Sequence, residues 1–347
     1  MPVMSVVRGR RPLIGGPGRR AIMSPGGTNG WPGARRTVQP RAPPPFTTAI
    51  RPRALPRSIS HRGVMSDNAE SSRATAGDLE VDLEIDLAGQ RLGVTRTAGQ
   101  GTTLLLCSDY GADRALLASF CRALSCPTVI FDWPGMHGTQ SVSFAAARQR
   151  MPARADQIAR LLDELGLARV NVLGMGWGGL LAQQLAYREA ARVNALVLVA
   201  TSCGQTMLPG RWRALKGLAG IAGRAGLNVD ARQAREIFGG RCERDCRDVA
   251  LALAGARTPS AAALAGQLYA VVGFSSLMFA HRISMPTLIL AGDDDRIVPL
   301  ANARLLQLLM PRAELSVLHG AGHWLLIERR SESLRRIEAF LALFEER

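Results

Sequence analysis

Hydrophobic and polar positions alternate clearly only after residue 77. "VDLEIDLAG" and "QRLGVTRT" change face residue by residue and predict a pair of strands. "TTLLLCSD" and "PTVIFDWPG" are continuous apolar runs, the pattern of strands buried on both faces. Between them "RALLASFCRAL" has helical spacing, and "ARADQIARLLDELG" is an amphipathic helix stopped by Gly166. "VNVLGMG" predicts a strand, "WGGLLAQQLAYREA" a helix and "VNALVLVATS" a strand. Towards the end come a strand in "PTLILAGDDD", a helix in "ANARLLQLLM" and a strand in "AELSVLHGAG". A last helix runs from Ser331 to Glu346, with Leu334, Ile337, Phe340, Leu341 and Phe344 on one face. Buried strands alternating with helices predict a mostly parallel, doubly wound α/β sheet.

The alternation breaks between Thr206 and Ile283, a helical stretch rich in Ala, Gly and Leu, which predicts a lid insertion over about 206–283. Within it Ser260–Ala280 is uncharged and as long as a membrane span. Its position between two core strands, with Gln267, two glycines and three serines, favours a buried or lid helix and no integral membrane span. The lid is expected to bind medium-chain 3-hydroxy acids or esters, with binding weakened by a charge placed at Leu268 or Val272.

Charge changes the picture only at the start. The chain carries a formal +15, but residues 1–64 hold twelve arginines and no acid, which leaves +3 for the rest. The folded part is therefore not a basic nucleic-acid binder. Residues 1–77 read as a disordered Arg/Pro-rich leader ahead of one domain over 78–347, because they offer no apolar surface to offset the entropy of ordering. They lack the apolar core of a secretory signal. Three origins stay open: a start placed too early, with "MSDNAESS" at Met65 as the natural beginning; a transit peptide; or a basic tail. Six scattered cysteines (Cys107, Cys121, Cys126, Cys203, Cys242, Cys246) suit reduced thiols in a cytoplasmic setting, and no spacing predicts a metal site.

The candidate chemistry lies in three loops. Gly174-Met175-Gly176-Trp177-Gly178 joins a strand to a helix, the local structure of a nucleophile elbow of pattern G-x-S-x-G. Its central residue is Gly176, which has no side chain. The same glycines match G-x-G-x-x-G, but that fingerprint belongs after a first strand, with an acid closing the next one, and "ALVLVATS" ends without an acid. No cofactor is expected. In "AGDDDRIVPL" Asp295 is the natural triad acid, and in "LHGAGHWLLIE" His323 is the natural base. Alone, each reads as an ordinary loop residue; together, the order elbow, Asp, His is that of an acyl-transfer triad.

From about Val81 to Glu346 the chain resembles the α/β-hydrolases, and within them the intracellular medium-chain-length polyhydroxyalkanoate depolymerases. The stretches that carry this are "VNVLGMGWGGLLAQQLAY", "TSCGQTMLPG", "IFGG", "PTLILAGDDDRIVPLANARLL" and "GAGHWLLIERR". The resemblance implies an α/β-hydrolase fold and ester hydrolysis of a 3-hydroxyacyl polyester or oligomer. It implies Asp295 and His323 as catalytic residues, and the backbone N–H groups of Trp177 and Tyr110 as oxyanion donors. It also implies association with polyester granules. Gly176 departs from it at the serine, and Asp109 departs where the family has a glycine, so that an inward carboxylate would oppose an oxyanion.

Three functions follow: an impaired esterase in which a water fills the space at Gly176; a non-catalytic protein binding acyl chains, granules or a partner protein; and a serine-independent enzyme using His323 with Asp295, with Asp109 as an acid/base partner. Cys107 and Ser108 stand in the strand and not at the elbow. Gly176→Ser is expected to restore a nucleophile about 3 Å from His323, and Asp109→Gly to raise its activity further. A chain starting at Met65 is expected to unfold with the same midpoint as the whole chain; a midpoint several degrees lower by calorimetry would show that the leader docks.

Overall fold

The computed structural model describes residues 80–345, apart from 88, 137–142, 144–146, 223–228, 242 and 257–258. The expected leader lies outside the described residues. The sheet has eight strands: β1 (Glu80–Leu87), β2 (Gln90–Thr97), β3 (Leu104–Cys107), β4 (Thr128–Asp132), β5 (Val170–Met175), β6 (Val193–Val199), β7 (Thr287–Gly292) and β8 (Ala313–Leu318). Their order across the sheet is β1-β2-β4-β3-β5-β6-β7-β8. β1 and β2 form an antiparallel pair, β2 runs antiparallel to β4, and β4 through β8 are mutually parallel. β3, β4, β5 and β7 are buried along their whole length, whereas the edge strands β1 and β8 are partly exposed. Continuous apolar runs therefore occupy the centre of the sheet, and alternating ones its rims.

Helices cover both faces. One face packs Leu105, Val172 and Leu198 against α2 (Met151–Glu164), α3 (Trp177–Arg188) and α8 (Leu300–Leu309), through Ile158, Leu181 and Leu306. The other packs Leu106, Leu173 and Leu290 against α1 (Arg114–Cys121) and α9 (Arg330–Leu341), through Phe120 and Ile337. α1 starts where the Asp113 carboxylate accepts the Leu116 N–H at 2.8 Å. The last helix closes as a 3₁₀ turn over Ala342–Phe344, earlier than its apolar spacing suggests.

Between β6 and β7 stand α4 (Trp212–Ala222), α5 (Ala231–Phe238), α6 (Glu243–Gly255) and α7 (Ala261–Val271). This is the helical insertion that the broken alternation predicts. The uncharged run does not form one long helix. α7 stops at Val271, and the chain turns through Gly273 at φ +75°. Among the described residues no helix is long and apolar enough to cross a membrane. Leu268 and Val272 do not line an inner wall: they are 57% and 48% exposed. A helix apolar on every side carries no periodicity from which its buried face could be chosen; here that face is Ala263, Gly266, Gln267 and Ala270.

Candidate active site

The loops that follow β3, β5, β7 and β8 meet at the carboxyl ends of the parallel strands, where an open α/β sheet gathers its ligands. Gly176 ends β5 and caps α3 with φ +50° and ψ −115°, a backbone shape that favours glycine. Its carbonyl accepts the Thr201 hydroxyl at 2.7 Å and its N–H donates to the Val199 carbonyl at 2.9 Å. At Gly178 a Cβ would stand 2.1 Å from the Cys107 carbonyl, so the start of α3 can approach the end of β3 only without a side chain there.

That approach brings Asp109 to the elbow. Its Oδ1 accepts the Trp177 N–H at 2.7 Å and the Tyr110 N–H at 2.7 Å. These are the two backbone groups that the sequence assigns to the oxyanion. Its Oδ2 lies 2.9 Å from His323 Nε2. On the other side His323 Nδ1 lies 2.8 Å from Asp295 Oδ2. Asp295 is held in turn: its Oδ1 accepts the Ile297 and Val298 N–H groups, each at 2.8 Å. The residues the sequence singles out thus form one continuous chain, from Trp177 and Tyr110 through Asp109 and His323 to Asp295.

His323 is buried, which works against a charged ring. Asp295 and Asp109 on either side outweigh that and hold its pKa well above 6.5. In its charged form the ring can donate to both carboxylates. Neutral with its proton on Nδ1, it would present a lone pair to Asp109 Oδ2 at 2.9 Å, and the contact would turn repulsive.

Two sequence-based expectations are corrected here. The space beside Gly176 is not open to a water: a Cβ on Gly176 would stand 1.9 Å from Asp109 Oδ1. For the same reason Gly176→Ser alone meets the carboxylate and can place a nucleophile there only if the Asp109 side chain moves. Asp109, from the loop after β3, occupies the space that a side chain at Gly176 would need. Cys107 is no substitute nucleophile either. It is buried in β3, and burial pushes its thiol up to about 12.

Sequence reasoning missed the supports of this site. The Gln267 side chain accepts the Gly111 N–H at 2.9 Å and its carbonyl accepts the Trp177 indole N–H at 2.9 Å, so α7 grips both sides of the oxyanion pocket. The Phe238 carbonyl accepts the His323 N–H at 2.9 Å and ties α5 to the base. Arg154 is buried with its guanidinium 4.5 Å from the Trp133 ring centre and 5.8 Å from that of Trp177; burial lowers its pKa to about 10. Gln267 was visible as the lone amide in an uncharged run, whereas nothing in sequence separates Arg154 from the arginines of a solvated helix face.

The family model described as alpha/beta hydrolase fold matches residues 105–330. The chain belongs to the alpha/beta hydrolase fold family. Within it, the chain is 35% identical over 249 residues to a poly(3-hydroxyalkanoate) depolymerase from Ectopseudomonas oleovorans, covering 71% of this chain and 87% of that one. It is 29% identical over 352 residues to a homoserine O-succinyltransferase from Xanthomonas campestris pv. campestris, covering 84% and 92%. Among solved structures, a meta-cleavage product hydrolase from Pseudomonas fluorescens IP01 superposes with a TM-score of 0.60 at 21% identity, covering 75% of this chain and 97% of that one. At that identity the likeness speaks for the fold alone. The chain is an alpha/beta hydrolase resembling the polyhydroxyalkanoate depolymerases, and the Asp109 carboxylate lies between the Trp177 and Tyr110 N–H groups and His323.

Two outcomes follow. Gly176→Ser alone should destabilise by about 2–4 kcal/mol through overpacking and a strained backbone. With Asp109→Gly added, the loss should shrink to about 1 kcal/mol of backbone strain, read from urea midpoints. The second concerns pH. A histidine whose folded pKa is raised contributes stability that is complete below 6.5 and is lost as pH rises through the folded value. Glu328, whose pKa burial raises to about 8, acts in the same direction between 4.5 and 8. Glu328→Gln should therefore remove the decline between pH 4.5 and 6.5 and lessen it from there to 8, leaving the part that begins at 6.5, which His323→Gln removes.

Proposed function

We propose that this chain is an acyl-ligand-binding member of the alpha/beta hydrolase fold family in which serine-type ester hydrolysis is closed. Its ligands are 3-hydroxyacyl esters, their acids or their oligomers, at polyester granules in the cytoplasm. One observation carries the reading: Asp109 Oδ1 takes both oxyanion N–H bonds. Hydrolysis of an acyl ester puts negative charge on the substrate's carbonyl oxygen, and its stabilisation requires those two donors to be free. Here the Asp109 carboxyl group stands where the acyl group of a substrate or product acid would stand, with its second oxygen on His323 Nε2. It acts as a built-in product. The ligand class rests on the likeness to a protein named poly(3-hydroxyalkanoate) depolymerase.

The test uses the full chain. The natural protein should not react with a fluorophosphonate probe or turn over a short 3-hydroxyacyl ester. The double variant Gly176→Ser with Asp109→Gly should label, and His323→Ala in that background should abolish labelling. Asp109→Gly alone frees two N–H groups and His323 Nε2, so by calorimetry it should bind a medium-chain 3-hydroxy acid about tenfold or more tighter than the natural protein, one decade being 1.4 kcal/mol. Ester turnover by the natural protein at rates above its His323→Ala variant would overturn the closed-site reading. Absence of 3-hydroxy acid binding to Asp109→Gly up to millimolar concentration would overturn the ligand class.

A further inference from the structure

We infer that the cleft between α4 and α5 is a second binding site, which takes a single alkyl or acyl chain ending in an anionic head group, a carboxylate or a phosphate. The proposal goes beyond the reading of the Asp109 site and does not depend on it. It starts from an imbalance along the chain. From Thr206 to Val229 there are four cations, Arg211, Arg213, Lys216 and Arg224, and no acid. The first three line a cavity of about 860 Å³ in the lid, and Arg296, from the loop after β7, lines it with them. That volume is ordinary for a small-molecule site, for which roughly 300–1,000 Å³ is usual. None of its described lining residues belongs to the loops after β3, β5 or β8, so the cavity is separate from Asp109 and His323.

The cleft has a fixed base. The Arg211 N–H donates to the Arg296 carbonyl at 2.9 Å, which seats the start of α4 on the loop after β7. Further along, a Cβ on Gly217 would stand 2.6 Å from Ile237 Cγ1, so α4 meets α5 there with no side chain of its own between them. Gly217, Val229 and Ile237 give the cavity an apolar lining. Trp212 also lines it and is 77% exposed, an indole held in water beside an apolar surface. By contrast Trp133, Trp177 and Trp324 are at most 6% exposed. An alkyl chain laid in the cleft would cover the indole and the apolar lining together and take both out of water.

Charge decides the head group. The acids nearby are already engaged: Asp294 lies 3.8 Å from Arg211 and 3.7 Å from Arg296, and Glu236 lies 3.4 Å from Arg232. Arg213 and Lys216 have no ion pair among the described residues. They stand one turn apart on α4, on the side that carries Gly217. Arg296 Nε is buried without a hydrogen-bond partner among the described residues. The cleft therefore sets two unpaired cations and a buried donor beside an apolar lining. An anionic head answers the cations, and an alkyl chain answers the lining. A neutral chain would leave the cations unmatched, and a bare anion would leave Trp212 and the lining in water.

The experiment titrates the full chain with monomeric decanoate, decyl phosphate, decanol and butyl phosphate and reads tryptophan fluorescence. The expected result is a saturable blue shift with the two decyl anions that is lost in Trp212→Phe, at an affinity about tenfold or more tighter than for decanol. Butyl phosphate should bind about tenfold or more weaker than decyl phosphate, because most of the buried CH₂ groups are gone. The double variant Arg213→Glu with Lys216→Glu should weaken the anions about tenfold or more. Both side chains are exposed, so circular dichroism should show that variant folded. A response to only one of the two decyl anions supports the site and identifies its head group. Three outcomes overturn the proposal: no Trp212-dependent shift up to millimolar concentration, decanol or butyl phosphate binding as tightly as the decyl anions, or unchanged affinity in the folded double variant. Asp109→Gly should leave the Trp212 response as it is, so failure here leaves the acyl-ligand reading, which is tested at Asp109, untouched.

Discussion

A single carboxylate, that of Asp109, holds the centre of this molecule together. It links the loop after β3 to the elbow after β5 through the Trp177 N–H, and to the loop after β8 through His323. His323 passes the connection on to Asp295 after β7. Four loops that are far apart in sequence are therefore tied by one chain of short, charge-assisted hydrogen bonds. Such bonds are stronger than neutral ones, and burial strengthens them again. The same burial makes the chain unforgiving. Removal of one member leaves a charged or polar neighbour without a partner in a site that water barely reaches.

The rest of the core is arranged so that this chain can close. Gly176 and Gly178 bring backbone to backbone at the elbow, and Thr201 holds the Gly176 carbonyl. The insertion contributes from above: Gln267 accepts from both sides of the oxyanion pocket and Phe238 fixes the His323 backbone. Arg154 sits beneath Trp177 and Trp133, a buried cation stabilised by ring faces. In the family's ester-cleaving members a reactive site must receive an oxyanion from outside. Here the negative charge is supplied by the protein itself, and the donors are satisfied at rest.

Much of the fold was legible along the chain because each element carried its own signal. Continuous apolar runs marked β3, β4, β5 and β7, and alternation marked the edge pair β1 and β2. Gly166, in the left-handed region at φ +68°, ends α2 as its sequence suggests. The uncharged run at Ser260–Ala280 was less legible: its length resembles a span, and its lack of polar residues hides the face that packs. The end of the last helix was misjudged by a few residues, since apolar spacing does not distinguish an α-turn from the 3₁₀ turn over Ala342–Phe344.

The sequence by itself determined the doubly wound sheet, the order of the three chemical loops, the missing side chain at Gly176 and the foreign carboxylate at Asp109. These are properties of residue type and local period, which the chain displays in order. Only the tertiary structure decided that Gly176 and Asp109 meet, the carboxylate filling the space a side chain at Gly176 would need. They lie 67 positions apart in sequence, and their relation depends on β3 and β5 being neighbours in the sheet, with α3 starting against the end of β3. Whether an inward carboxylate opposes an oxyanion or takes its place is a matter of a few ångströms. Those ångströms are set by packing across the sheet, which no single stretch of chain contains.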